Sequence, residues 1–373
     1  MMKNNKPREV YYDIQINNFE STGAAKQPLR FSETRSLPII KNSGDYSLSI
    51  VRFEIDTYSL PTFVADIMQG SNTDPNKMIE GITMEWDDSG ILTTAGPINL
   101  TWVPSNQQIP APSAPQKLNE ASNEYYYGNS FRHYCDLVNN TFESLTSALK
   151  VSVGDDLTNL FTPKLIWNDQ SHSAELLTQK GFYDNSLDSH VKIYFNRALY
   201  GKLSSFPSIT NLNATDGKVH RLIITSDYDN KVVKLDILGD PTNLVNMIKT
   251  PQEYSTISNW SATSSMVFTT NTLPIIPTQQ SEPMIYDNGV ALKVDAAHNF
   301  SHVISDMSTN ELCYKPNLIY VPSAEYRIID MFGDNSVSTV DINVFWKDKR
   351  GNLIPFYLES GASTSIKILF RLK

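Results

Sequence analysis

The chain has 373 residues, 40% of them hydrophobic and 10% aromatic, with 40 acidic against 31 basic side chains and a formal charge of −9. That length and apolar content suffice for one large or two medium domains with real cores. A net acidic chain with only 19% charged residues excludes wrapping nucleic acid over the whole surface, because phosphate neutralisation needs clustered Lys and Arg.

The opening stretch, MMKNNKPREVYYDIQ, is polar and lacks the apolar core of a secretory signal. Nowhere does the chain approach the ~18 apolar residues of a membrane-spanning helix. Lys3, Lys6 and Arg8 make the first residues a polar, basic arm, read either as disordered or as an extension that clasps a partner. Residues 1–45 read as this arm and the first edge segments.

Strand patterns dominate from there. YSLSIVRFEIDTYSLPTF (46–63) alternates with period 2, placing Leu48, Ile50 and Arg52 on one face and Val51, Phe53 and Ile55 on the other. Pro61 ends it. GITMEWDD (81–88) and PINLTWVP (97–104) read as a hairpin around Ser89-Gly90. Four prolines between Pro104 and Gln116 mark an extended loop. In SFRHYCDLVNNTFESLTSALK, Tyr134, Leu137, Val138, Phe142, Leu145 and Leu149 recur at helical spacing. A lone helix among strands is expected to cover a sheet end or edge.

HVKIYFNRALYGKLSSFP (190–207) begins as a strand and turns helical after Asn196. KVHRLIITSDYD and KVVKLDILG are expected to form a hairpin around Asp229-Asn230, and NLVNMIKTPQEYS a brief helix ending before Pro251. Strands then resume through SSMVFTTNTLPII, YRIIDMF and VDINVFWKDKRGNLIPFYL to SIKILFRLK. In the penultimate stretch, Val340, Ile342, Val344 and Trp346 form the core row, Ile354, Phe356 and Leu358 the second arm's row, and KDKRGN the turn. Pro355 places that second arm near an edge. SIKILFRLK reads as a strand stitched into the sheet, with Ile366, Ile368 and Phe370 inward.

The fold class is therefore mostly β: antiparallel sandwiches of jelly-roll type with one or two short helices. The expected division is a β-sandwich module over 46–250, with long loops and a helix near 130–150, and a second β-rich module over 251–373. A short echo between SIVRFEIDTYSLP (49–61) and SMVFTTNTLP (265–274) suits two modules. The rival is a single roll with an insertion between about 64 and 250, closed by 251–373.

Chemistry is sparse. The six histidines are scattered, and the His298–His302 pair has strand-like flanks without the intervening Glu of a zinc-protease helix. Asp87-Asp88 and Asp155-Asp156 are adjacent residues in turn-like segments, so neither converges as an acid/base dyad. Phosphate-binding, nucleophile-elbow and dinucleotide motifs are missing, and neither cofactor nor metal is expected. Cys135 and Cys313 are expected as buried thiols, although two cysteines leave a pair open. Tyrosines number 18, and the run Tyr125-Tyr126-Tyr127 fits a subunit interface, where Tyr is enriched, or a sandwich core.

The stretch Tyr320–Lys373, together with PINLTWVPSNQQIPAPSAP, YYYGNSFRHYCDLVNNTF and KIYFNRALYGKLSSFP, resembles blocks of jelly-roll capsid proteins from small icosahedral DNA viruses, of the virophage and Polinton-like group within the tectivirus–adenovirus lineage. The resemblance implies a virion structural protein that self-assembles into an icosahedral shell and carries no family catalytic residues. In that lineage double rolls form trimeric hexon-type capsomers and single rolls form the pentons at vertices. The implied partners are further copies, as trimer or pentamer, other capsid proteins, and a weak local contact of the packaged genome with the basic arm at Lys3, Lys6 and Arg8. A second reading is a viral attachment or carbohydrate-binding β-sandwich that uses the tyrosines and the Pro-rich loop. A third is a glycoside-acting enzyme, which would need two carboxylates about 5–10 Å apart in a groove.

Overall fold

The computed structural model describes residues 7–18, 26–70, 73–113, 123–214, 217–226, 230–236, 244–275, 285–287, 290–292, 302–309, 317–321 and 328–373. The chain folds as two compact units. One combines the segment up to Pro61 with the segment from Ser261 onward and Asn123; the other is built from Thr62–Glu120 and Glu124–Trp260. The borders thus lie near 61 and 261, whereas the sequence reading set them at 45 and 250. The physical reason is strand pairing: Ser363–Leu372 runs antiparallel to Glu9–Asn17 on one side and to Tyr46–Asp56 on the other. Early and late segments therefore share one sheet.

In the first unit that sheet has the order Glu9–Asn17, Ser363–Leu372, Tyr46–Asp56, Asn317–Tyr320, with Ile329–Asp330 also pairing to Tyr46–Asp56. A second sheet runs Val290–Leu292, Ile285–Asp287, Leu353–Pro355, Thr339–Asp348, Thr263–Thr270, His302–Ser308, and Arg30–Thr34 pairs with Thr339–Asp348. The sheets face each other, and the rings of Phe53 and Phe268 meet with centroids 4.9 Å apart. The two segments of the sequence echo therefore sit on opposing sheets of one unit.

Strict alternation fails in Tyr46–Asp56. Leu48, Ile50, Phe53 and Ile55 are all buried, although 50 and 53 differ in parity. The pairing skips Val51, where Lys367 meets Arg52 and Ile368 meets Ile50. A β-bulge of this kind adds one residue and returns the following side chains to the core face.

The hairpin Thr339–Asp348/Leu353–Pro355 has its expected inner row: Val340, Ile342, Val344 and Trp346 are buried. Phe345 on the other face is also buried, in a small cluster with Val267 and Leu353, so that face is not simply solvated. Ile285–Asp287 pairs in parallel at Leu353, and at this point the second arm is not an edge as Pro355 suggested. Ile366, Ile368 and Phe370 are buried as the alternation requires.

The second unit contains a five-stranded sheet, Ser208–Thr210, His220–Leu222, Ser189–Phe195, Lys77–Asp88, Ile91–Thr101, and a four-stranded one, Lys231–Leu235, Val245–Pro251, Ser173–Gln179, Lys164–Asn168. The expected hairpin at 89–90 is present, with longer arms. Ser89 and Gly90 both take positive φ, 51° and 99°, as a two-residue hairpin turn that follows strand twist requires. Two expectations are corrected. Val245–Pro251 is a strand, not a helix, because it is flanked on both sides by strands to which its β-branched residues pair. Lys231–Leu235 pairs with that strand rather than with the 218–229 segment, whose His220–Leu222 instead joins Ser189–Phe195.

Helix exceeds the one or two short elements expected. Phe131–Val153 spans 23 residues, and among the described residues three single turns or so accompany it, Lys180–Tyr183, Arg197–Lys202 and Ile257–Trp260. The long helix buries the predicted face, Tyr134, Leu137, Val138, Phe142, Leu145 and Leu149. It also covers a sheet edge: Asn139 Nδ2 donates to Leu165 O at 3.0 Å, and Leu165 N donates to Asn139 Oδ1 at 2.7 Å. One side chain thereby satisfies both backbone groups of a residue on the edge strand Lys164–Asn168. Arg197–Lys202 starts where expected, with Asn196 Oδ1 accepting from Leu199 N at 2.9 Å.

Candidate assembly surfaces and a buried charge cluster

Arg8 is exposed beside the edge strand Glu9–Asn17, and its carbonyl accepts from Leu372 N. Lys3, Lys6, His298 and Cys313 lie outside the described residues. Cys135 is buried, and that burial pushes its thiol up to about 12.

Most of the tyrosine run is turned inward. Tyr125 and Tyr126 are buried within the second unit. Tyr125 OH donates to Asn76 Oδ1 at 2.7 Å, Tyr126 OH donates to Pro75 O at 3.1 Å, and Trp102 Nε1 donates to Tyr125 O at 2.9 Å. Tyr127 is half-buried in the short pairing of Tyr127–Gly128 with Phe63–Val64. Glycine is required at 128, because a Cβ there would stand 2.2 Å from the Phe63 ring. These phenols anchor a loop to a sheet.

The basic tip is a turn. Asp348 is buried and accepts from Arg350 N, Asn352 N and Asn352 Nδ2 at 2.7–2.8 Å. Gly351 takes φ 90°, and Lys347 pairs with Asp306 at 3.1 Å. The cluster is thus organised by the carboxylate inside it.

Exposed apolar side chains gather at sheet margins. On the edge strand Asn317–Tyr320 and its continuation, Ile319 and Val321 are 60% and 65% exposed. At the opposite edge of the same sheet Tyr11 is exposed, among the acidic residues Glu9 and Asp13, and Asp13 meets Lys367 at 3.4 Å. In the second unit Ile91 and Leu92 project at the tip of the long hairpin, 73% and 55% exposed. Scattered apolar exposure is ordinary, but strands that are outermost among the described residues and bear it are surfaces on which further chains can dock.

Sequence reasoning missed the second unit's most unusual feature. Glu80 is fully buried. Lys202, at the end of its short helix, reaches inward, its Nζ 2.7 Å from Glu80 Oε1 and 3.1 Å from Asp66 Oδ2. It also lies 5.3 Å above the Tyr134 ring. Around it is an aromatic shell: Phe63, Tyr134 and Trp260 pack ring to ring, with Phe63–Tyr134 centroids 5.3 Å and Tyr134–Trp260 4.6 Å apart. Lys202 is fixed from behind, since its carbonyl accepts from Thr256 Oγ1 and Trp260 Nε1. Burial pushes the Glu80 carboxyl up, only partly offset by the Lys202 charge. The Lys202 ammonium is pulled down by burial but held high on balance by the two carboxylates. The Glu80 carboxyl has the Lys202 ammonium and the Tyr134 hydroxyl as its polar neighbours in this buried setting. A signal was available: Glu80 occupies the same strand row as Met78 and Ile82, both fully buried.

Two facing, largely antiparallel sheets closed by pairing between distant segments give this chain a jelly-roll fold of the capsid-protein kind. The family model described as Sputnik minor capsid protein V18/19 matches residues 10–372, and the chain belongs to that family. It is 26% identical over 212 residues to structural protein V19 of Sputnik virophage, covering 55% of this chain and 91% of V19. With V18 of the same virophage it shares 28% identity over 153 residues, 40% of this chain and 90% of V18. Among solved structures, a chain of the Sputnik virophage cryo-EM structure superposes with a TM-score of 0.82 at 25% identity, over 99% of both chains. The mavirus penton protein shares the fold, with a TM-score of 0.64 at 14% identity over 97% of this chain and 99% of that one. The chain is therefore a structural protein of a virus capsid, located in the virion. None of the helices among the described residues is long and apolar enough to cross a membrane.

Proposed function

We propose that this protein self-assembles as the penton-type capsomer, five copies around a vertex, and that its role is architectural rather than catalytic. The observation that carries this reading is the make-up of the first unit. Its two sheets draw strands from both ends of the chain, so the chain builds one roll with residues 62–260 inserted, rather than two successive rolls. Single rolls suit five-fold rings, and double rolls suit trimers with pseudo-sixfold outlines. The penton description of the mavirus structure supports the same assignment. Closed rings need heterologous contacts, and the two edges of the first sheet, one with Ile319 and Val321 and one with Tyr11, supply two different surfaces. Neighbouring capsid proteins complete the shell, and assembly takes place inside the host cell without secretion. Native mass spectrometry of the purified full chain tests this directly. A pentamer is expected; a trimer, or a monomer at every concentration, would refute it.

A further inference from the structure

We propose that Lys202 and Asp66 condense spontaneously into an intramolecular isopeptide bond, with Glu80 as the proton-transferring group. Three observations carry it. The amine nitrogen lies 3.1 Å from Asp66 Oδ2, and the same nitrogen is 2.7 Å from Glu80 Oε1, so one nitrogen stands between two carboxyl groups. Glu80 is fully buried and the Lys202 ammonium lies over the Tyr134 ring, itself packed against Phe63 and Trp260, while Asp66 stands half-buried at the margin of the cluster. Finally, the cluster contains two carboxyls and one amine, with Glu80 at zero exposure.

In water, an amine and a carboxylic acid do not condense, because both ionise and remain hydrated. Burial shifts Glu80 toward its neutral form, so a proton is at hand to exchange against the Lys202 ammonium that the two carboxyl groups hold. It also holds the reactants together, and well-oriented intramolecular partners reach effective concentrations on the order of 10⁵ M or more. With Glu80 holding a proton, the resting cluster is neutral: an ammonium, one carboxylate and one carboxylic acid. Glu80 hands its proton to Asp66 and takes one from Lys202, which leaves a neutral amine beside a neutral carboxylic acid.

The atoms then balance without any further reactant. Lys202 Nζ attacks Asp66 Cγ, forming a C–N bond. The Cγ–Oδ bond breaks, and the departing oxygen leaves as water with its own proton and a second one from nitrogen, relayed by Glu80. Glu80 ends as it began. The Asp66 side chain retains 25% exposure, which gives the water a way out. The product is an uncharged amide in place of a buried ion pair. It ties the segment preceding Lys77–Asp88 to the end of helix Arg197–Lys202, both inside the second unit.

Intact-mass measurement of the denatured full chain reads the outcome. The expected mass is that of the sequence less one water, with a branched tryptic peptide joining Asp66 to Lys202. Lys202→Arg and Asp66→Ala should each regain the full mass, and Glu80→Gln should leave the chain uncondensed. Asp66→Asn should close with loss of ammonia instead of water. Because the wild-type mass is read after denaturation, a variant that fails to fold does not affect the central measurement. A wild-type mass equal to that of the sequence, a free Lys202 amine after digestion, or a water loss mapped to other residues would each overturn the proposal.

Discussion

Phe53 and Phe268 approach with ring centroids 4.9 Å apart and planes inclined at 58°, and both are fully buried. Each comes from a different sheet of the first unit, so this contact reports directly on the closure of the roll. Truncating either ring to alanine removes the largest side chain at that point. A loss of about 3–5 kcal/mol is expected from lost burial and the cavity left behind. A double-mutant cycle should isolate an attractive coupling of about 0.5–1.5 kcal/mol. Chemical denaturation of the four proteins provides the measurement, and purely additive losses would show that the rings do not pack as a pair.

Deleting residues 365–373 should abolish soluble folding. Their strand lies between Glu9–Asn17 and Tyr46–Asp56, so its loss strips two ladders of hydrogen bonds and exposes the core row that Ile366, Ile368 and Phe370 cover. Soluble yield and amide exchange on the truncated chain provide the check; native-like protection in Tyr46–Asp56 would contradict the assignment.

At the basic tip, Asp348 and Arg350 should behave oppositely. Asp348→Ala orphans three donors around a buried position and should cost about 1–3 kcal/mol. Arg350→Ser changes an exposed side chain and should stay within about 0.5 kcal/mol of wild type. Equal effects in thermal unfolding would rule out a carboxylate-organised turn.

Acid sensitivity should have an identifiable source in the second unit. Burial alone would raise the Glu85 carboxyl, but hydrogen bonds from Lys218 and Tyr194, the Lys218 charge and Thr94 hold it below its ordinary value. A depressed folded-state value contributes stability that is present above the unfolded value of about 4.3 and is lost as pH falls through the folded one. Lys218→Met should therefore lower stability at neutral pH, with the variant and wild-type curves converging as pH drops below about 4. Parallel curves down to the acid limit would exclude this linkage.

Cys135 should be chemically silent. Its thiol is 2% exposed and pushed up to about 12 by burial, so little thiolate exists at neutral pH. In a Cys313→Ser background, Ellman's reagent should react at pH 8 only after unfolding. Rapid labelling of the native protein would mean the helix face carrying Cys135 opens easily.

Much of the roll was legible because its signals are local. Period-2 rows at 340–346 and 366–370 give the core faces directly, and Asn196 announces the helix that follows it. The failures share one cause, long-range pairing. Val245–Pro251 has the composition of either element, and strands arriving from 173–179 and 231–235 decide the matter. The bulge at Val51 exists only relative to its partner strand. The tyrosine run gave no indication that Asn76 and Pro75 would receive its hydroxyls. For the charge cluster, residue 80 is a carboxylate in a row of methionine and isoleucine, a visible anomaly. Its partners at 66 and 202 become neighbours only through the fold.

The central position of Ser363–Leu372 also sets an order of events during synthesis. Glu9–Asn17 and Tyr46–Asp56 emerge from the ribosome early, yet the strand that must lie between them is made only after residues 62–260 are complete. The inserted unit can fold while those early strands still wait, and a truncated product leaves them unjoined. Incomplete chains thus lack a finished first sheet, whatever the state of the inserted unit.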